Sequence, residues 1–535
     1  MILNCIAKKA EREKKMNYDT MTLKEKILQT FIVTIREINK HGGPETFFDK
    51  YPVGGMYYWE SNDPDIENKI EKGTGSCLKR LNLCKKYSKQ PLLVCADSTP
   101  LVGQTIYAQA ASLASTRSEE DAYNLGKIIG MQINSNGVDW VLSPSIDMYY
   151  DRSMPLYAIS DDPTLTAKLY RQVVRGIQDQ GVCATVKHFP GLGTTNINMH
   201  FAPGQNNLDF DEWMNTYGYT YKEMFKENVC SVMTTHMALK SYDREYHDGF
   251  YPIATYSKKL TTDLLKNELG FEGAVVTDAL IMGGMATGDL IAETVQAFKA
   301  GADLLLWPPV EAADAIADAI KNGEIPMSRL DDAICRIEKM RKFRDEKKVN
   351  AEKPNPEFAN NISKQIIRNG ICLLKNDIDL IPLKNCRKIL IVDATDGDKS
   401  AYMLSEELNK RGFEAEVKRI IYDVPSRVCW QDDIDALQSK YDTVIFNLNT
   451  AISCTWSEPF MLIWASHLFS KKKKIIINYG SPFFAGDYFP DDPTIINTNA
   501  ECSETLVKAL ADGIEGKMEF KGHSVIKISV RKEYI

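Results

Sequence analysis

No apolar stretch in these 535 residues approaches the roughly 20 needed for a membrane-spanning helix; the longest, such as 475–478 (IIIN) behind four lysines, are strand-length. Charge of one sign is also missing. The 65 Lys+Arg against 72 Asp+Glu leave a formal −7, without the basic stripe that duplex nucleic acid requires. The 12 cysteines form no CxxC pair and no Cys/His ladder, which argues against a structural zinc site. Several of them (Cys95, Cys183, Cys372) stand inside apolar runs, the usual setting of buried free thiols in a reducing compartment. The opening MILNCIAKKAEREKK puts its charges after a very short apolar stretch, the reverse of a secretory signal. The expectation is a cytoplasmic protein with neither membrane nor nucleic acid as partner. Composition is otherwise ordinary, 44% hydrophobic and 26% charged, and the length calls for two or three domains.

What is present is a repeated unit, a short apolar run followed by a longer amphipathic stretch. The runs are 52–58 (PVGGMYY), 91–97 (PLLVCAD), 138–144 (VDWVLSP), 182–187 (VCATVK), 230–236 (CSVMTTH), 273–278 (GAVVTD) and 302–307 (ADLLLW). Near-continuous apolar runs suit parallel strands buried on both faces. Starts about 30 to 48 residues apart leave room for a strand, a helix and loops. Seven such units predict a (β/α)8-type TIM barrel with one strand hidden. The boundaries read as a polar lead-in over 1–24, a barrel over 25–345, a charged, Pro-containing linker over 346–362, and a second domain over 363–535. In that second domain 389–392, 443–448, 475–479 and 494–497 read as four parallel strands of a small α/β sandwich, with helices near 400–411 and 502–513. No GxGxxG follows its first strand, which argues against a dinucleotide.

In a TIM barrel the chemistry gathers at the C-terminal ends of the strands. Titratable groups close these runs: Asp97, Lys187 with His188, His236, and Asp278. The richest segment is 186–200 (VKHFPGLGTTNINMH), a strand end followed by a loop whose glycines permit close approach of a ligand, with Asn198 and His200 two apart. The second is 271–282 (FEGAVVTDALIM), where Asp278 ends a buried strand or, on the blander reading, caps the helix that follows. His236 reads as structural, and a metal held by His188, His200 and His236 is not expected. Asp139 and Asp147 read as loop or capping residues. The lysines at 471–474 read as a solvated turn, and the rings of 213–221 (WMNTYGYTY) as core or sugar-stacking groups with equal weight.

The KHFPG element at 187–191, His200 and the strand-ending Thr277 and Asp278 together resemble the family 3 glycoside hydrolases, in particular their β-N-acetylhexosaminidase branch. Segments 53–55 and 137–147 look like the family's first and third strands, and 160–163 (SDDP), 264–273 and 366–383 extend the likeness over nearly the whole chain beyond residue 25. The resemblance implies a retaining, exo-acting β-glycoside hydrolase without metal or organic cofactor, with terminal N-acetylglucosamine as the first substrate to try. It implies Asp278 as nucleophile and His200 as acid/base, while Lys187, His188 and Asp97 bind sugar hydroxyls and Asn198 supports His200. The chain departs from the family's pattern at several points. Asn198 replaces an aspartate and Leu192 a histidine; 97–101 (DSTPL) lacks a glutamate and two glycines, and 157–159 (YAI) lacks an arginine. Two other outcomes therefore stay open: a glycosidase or phosphorylase for a different sugar, and a weakly active homologue that binds carbohydrate. Nothing in the sequence fixes the oligomeric state.

Overall fold

The computed structural model describes residues 18–58, 74–97, 108–149, 158–195, 197–246, 249–285, 287–348, 351–395, 397–419, 431–449 and 466–527. They group into two compact units. The first comprises 1–105, 122–147 and 170–356, and the second 106–121, 148–169 and 357–535.

Among the described residues the first unit holds ten strands: β1 (Phe31–Val33), β2 (Gly55–Tyr57), β3 (Leu93–Ala96), β4 (Trp140–Val141), β5 (Cys183–Phe189), β6 (Gly204–Asn206), β7 (Ser231–Thr234), β8 (Met237–Leu239), β9 (Ala274–Thr277) and β10 (Leu305–Leu306). Eight of them form one parallel sheet in the order β10-β1-β2-β3-β4-β5-β7-β9. A parallel bridge between Val276 and Leu304 closes β9 onto β10 and completes the barrel. The hidden strand is β1, which pairs with β10 and β2. The run at 52–58 is therefore the second strand, and the 137–147 segment carries the fourth.

The barrel is filled by its own side chains. Ile32, Leu93, Trp140, Cys183, Met233, Val276 and Leu306 are buried together, and Ile337 and Met340 of the helix Met327–Lys347 join them. Burying apolar surface this way is worth about 25 cal/mol per Å². The Trp140 indole N–H is satisfied inside by the Thr185 and Ser231 hydroxyls, at 2.6 and 3.0 Å.

The second unit is a sheet of β11 (Cys372–Asn376), β12 (Lys388–Thr395), β13 (Glu414–Lys418), β14 (Thr443–Asn449), β15 (Lys474–Asn478) and β16 (Thr494–Asn497), in the order β11-β16-β15-β14-β12-β13. All pairs are parallel except β11 with β16. With the helices Ser400–Lys410 and Glu504–Glu515 this is the expected α/β sandwich. The helix Ala110–Thr116 belongs to the same unit, its Ser112 hydroxyl donating to Asn499 O at 2.6 Å and Ser115 to His523 O at 2.7 Å. One reading is corrected here. Lys471–Lys473 form the surface turn, but Lys474 opens β15 fully buried, its ammonium 2.7 Å from buried Asp492.

Candidate active site

The site is built at the C-terminal ends of the barrel strands. Asp278 directly follows β9. Its backbone N–H donates to Thr234 O at 2.8 Å, which continues the ladder one residue past the strand and fixes the side chain at the mouth. Oδ2 accepts the Thr235 hydroxyl at 2.9 Å and Oδ1 the Ala279 N–H at 2.8 Å. Burial pushes this carboxyl up, but the His188 and His236 rings, the Ala279 N–H and Lys187 more than offset it and hold it below the usual carboxylate range. Asp278 is thus ionised at neutral pH. It caps no helix: the next one, Leu290–Ala300, is capped by Asp289.

Lys187 and His188 lie near the end of β5, and each meets a carboxylate that follows another barrel strand, Asp97 after β3 and Asp147 beyond β4. Lys187 Nζ contacts Asp97 Oδ1 at 2.7 Å, and the Tyr57 hydroxyl donates to Asp97 Oδ2 at 2.6 Å. Burial opposes the Lys187 charge; Asp97, then Asp278 and Asp147, overcome it and keep the ammonium protonated. His188 Nδ1 lies 2.7 Å from Asp147 Oδ2. Asp147 is fully buried and also accepts the Ser145 hydroxyl at 2.7 Å and the Leu192 N–H at 2.8 Å. Because this carboxylate takes the Nδ1 proton, Nε2 is the nitrogen His188 offers to the pocket.

The loop after β5 is pinned from below. The Trp213 indole donates to Pro190 O at 2.7 Å, Asn206 Nδ2 to Gly191 O at 3.0 Å, and the Tyr217 hydroxyl to Leu192 O. Gly191 has φ +115°, and a Cβ there would stand 2.3 Å from the Tyr217 ring, so glycine is required. Trp213, Tyr217 and Tyr221 are fully buried and serve as the floor of this loop, not as stacking rings.

His200 lies further along the same loop, exposed. Its backbone N–H, which can only donate, meets Asn198 Oδ1 at 3.0 Å, and its Nδ1 meets the same oxygen at 2.8 Å. The shared atom must be the amide oxygen, so Nδ1 carries a proton. The loop is clasped to the segment after Asp278: Gly283 N–H donates to His200 O and Gly284 N–H to Met199 O, both at 2.9 Å. A Cβ on Gly283 would come within 2.8 Å of His200 O. His200 and Asp278 are not themselves hydrogen-bonded.

The structure therefore joins Asp97 to Lys187 and gathers Lys187, His188 and Asp278 at one mouth, while His200 and Asn198 form a pair on the adjoining loop. His236 is buried. Its Nε2 faces Ala279 O at 3.1 Å and its Nδ1 the Thr255 hydroxyl at 2.9 Å; burial pushes its pKa down, and it braces the residue after Asp278. Sequence reasoning missed Tyr57, whose ring reads as core, and Asp147, whose signal was its place just beyond an apolar run. Of the divergent positions, 98–101 and Tyr157 lie outside the described residues. Among the described residues Glu37, His41 and Glu311 bring three potential metal-ligand atoms within 4.8 Å of one another. Lys40 lies 3.7 and 3.6 Å from the two carboxylates, which makes the group an ion-pair cluster. Among the described residues no helix is long and apolar enough to cross a membrane.

The model of the glycosyl hydrolase family 3 N-terminal domain matches residues 22–340. The chain belongs to glycosyl hydrolase family 3. Its sequence is 24% identical over 481 residues to a β-N-acetylglucosaminidase/β-glucosidase of Cellulomonas fimi, covering 82% of this chain and 83% of that one. It spans 53% to 64% of the length of three further curated relatives. Among solved structures, a β-glucoside phosphorylase superposes with TM-score 0.78 at 22% identity, covering 96% of this chain and 94% of that one. A family 3 β-N-acetylglucosaminidase from Paenibacillus sp. strain FPU-7 gives 0.77 at 23%, covering 96% and 100%. At these identities the structural likeness establishes the family 3 fold, barrel and sandwich alike. A hydrolase and a phosphorylase share it almost equally, so fold does not separate the two reactions.

Proposed function

We propose that this family 3 protein is an exo-acting, retaining β-glycoside hydrolase that releases terminal N-acetylglucosamine. The observation that carries the reading is Asp278: an ionised carboxylate at the end of β9, aimed at a mouth lined by Lys187, His188 and Asp97. Asp278 attacks the anomeric carbon, and the bond to the leaving oxygen breaks as His200 Nε2 gives that oxygen a proton. Water, deprotonated by the same nitrogen, then displaces Asp278 and retains the β configuration. Asn198 holds the His200 ring through Nδ1. Asp97 and Lys187 hold hydroxyls, and His188 offers Nε2 because Asp147 engages its other nitrogen. In this reading the catalytic domain runs over 25–345, the linker over 346–362 and the sandwich over 363–535. The cytoplasmic setting of this reading rests on the cysteine pattern.

The test is hydrolysis of a panel of aryl β-glycosides by wild type and Asp278→Ala, with a 2-deoxy-2-fluoro glycoside to trap the intermediate. Labelling of Asp278 and loss of turnover in the variant support the reading; undiminished turnover by Asp278→Ala sinks it. Asn198 favours a second reading. With an amide beside His200 instead of a carboxylate, the His200 pair itself adds no negative charge to repel an anionic acceptor such as phosphate. Adding phosphate separates the two, because phosphorolysis yields a glycosyl phosphate and hydrolysis the free sugar.

A further inference from the structure

Trp307 follows β10 at the barrel mouth and carries two unfavourable features at once. Its φ is +64°, a left-handed conformation that bulky residues rarely adopt. Its indole N–H is shielded from water and has no hydrogen-bond partner among the described residues. The other indoles among the described residues are satisfied: Trp140 donates to two hydroxyls and Trp213 to a carbonyl. A tryptophan kept for bulk alone needs neither the strained turn nor the unpaired donor. Such outliers are held at sites that bind something.

The turn is fixed, since the Trp307 backbone N–H donates to Ile32 O at 2.9 Å. Its ring meets that of Tyr57 edge-on at 5.2 Å, and Tyr57 in turn donates to Asp97. On its other side β10 adjoins β9, with Leu280 N–H donating to Leu306 O at 3.0 Å, two residues beyond Asp278. Around the barrel Trp307 therefore comes between the attacking carboxylate and the hydroxyl-binding one.

We infer that Trp307 is a specificity-determining residue of this site, its indole N–H donating to an oxygen of the substituent on the sugar carbon next to the anomeric centre, the acetamido carbonyl or the 2-hydroxyl. The class of ligand rests on the glycosidase reading above; the donor and its place rest on the geometry of Trp307. Trp307→Phe keeps an aromatic ring but removes the donor together with the smaller half of the indole, a packing loss that falls on both sugars of the comparison alike.

The experiment compares N-acetylglucosamine with 2-deoxyglucose, which lacks the acceptor, by calorimetric Kd on the full-length wild type and Trp307→Phe, alongside turnover of aryl β-glycosides. The variant weakens N-acetylglucosamine about tenfold and changes 2-deoxyglucose less than about twofold. In 15N-labelled wild type the Trp307 indole resonance, assigned through its proximity to the Tyr57 ring, moves on adding N-acetylglucosamine, a readout that does not depend on how the variant folds. Equal losses for both sugars, no loss, or an unmoved resonance overturns the assignment, even if hydrolysis is intact. Sugar binding without hydrolysis by wild type would defeat the hydrolase reading and leave Trp307 to be judged on the Kd ratio. No sugar binding by wild type overturns both.

Discussion

The two rims of the barrel use the same chemistry to opposite ends. At the N-terminal rim Asp139, just before β4, accepts the Val94 N–H of β3 at 3.2 Å and meets Lys348 at 3.0 Å and Arg344 at 3.8 Å. Asp303, just before β10, accepts the Val275 N–H of β9 at 2.8 Å and meets Lys266 at 2.7 Å and Arg329. Each carboxylate caps the start of the neighbouring strand and takes its cations from the outer helices or the segment just after them, which close over it. At the C-terminal rim the partners of Asp97 and Asp147, the Lys187 ammonium and the His188 ring, come from β5 itself. Exposure does not divide the rims: Lys187 keeps 17% and His188 15% of its side chain exposed, against 4% for Lys266 but 42% for Lys348. A buried aspartate–cation pair is thus not a mark of function. What distinguishes the upper pairs is their place beside Asp278, whose carboxylate Lys187 and His188 stabilise.

The sharpest way to break this comparison is Asp278→Ala. Turnover falls about 10⁴-fold or more, because no other group in contact can form the glycosyl bond. Stability moves by less than about 1 kcal/mol, since Asp278 has only a hydroxyl and one N–H in contact. Asp303→Asn does the reverse. It keeps an acceptor for Val275 but leaves Lys266 and Arg329 only Asp332, at 3.0 and 2.6 Å, and costs about 1.5–3 kcal/mol in denaturant unfolding with kcat of the folded enzyme unchanged. A lower rim variant that lost activity while keeping its unfolding midpoint would erase the distinction.

How far the sequence carries this division depends on how each residue is delivered. Seven strands were legible as apolar runs, but β1 was not: FIV is three residues with too little length to show a period. In the sandwich β13 (EAEVK) escaped because an edge strand leaves alternate residues in water and reads as polar. Asp278, Lys187 and His188 could be found because each ends an apolar run. Asp147 lies six residues past the end of the two-residue β4 and reaches His188 only because 143–146 runs on beside β5, with Ile146 N–H donating to Lys187 O at 2.7 Å. No local pattern encodes that pairing. Tyr57 and Trp307 were hidden for the opposite reason, since an aromatic closing an apolar run reads as core whether or not its polar atom faces a pocket. Lys474 misled because a buried lysine looks like its exposed neighbours until Asp492 is found beside it.

Asp147→Asn sharpens the comparison at the upper rim alone. The amide can donate to His188 Nδ1 instead of accepting from it, which moves the ring proton to Nε2 and turns an acceptor toward the pocket into a donor. By analogy with other orienting carboxylates kcat/KM falls about 100-fold. The variant also reports on pH. Burial raises the Asp147 carboxyl, but His188 and the hydrogen bonds around it bring it below the usual range. Its contribution to stability is therefore fully present above the unfolded value of about 3.9 and is lost as pH falls through the lower folded value. The stability gap between wild type and Asp147→Asn narrows only below about pH 4; a gap that closes near neutrality contradicts the depressed carboxyl.

Asn198→Asp gives the smallest effect, because His200 and its partner are exposed. The new carboxylate keeps the contact to Nδ1 but adds a charge that stabilises the protonated ring. The proton donor then survives to higher pH, so the alkaline limb of kcat/KM moves up by about half a unit to one unit while the acid limb, set by ionised Asp278, stays in place. Salt is the control. At 1 M the Debye length shrinks to about 3 Å, and a shift carried by an exposed charge must diminish. If neither the limb nor its salt dependence changes, His200 does not transfer the proton, and the acid must be sought among the groups that close the mouth itself.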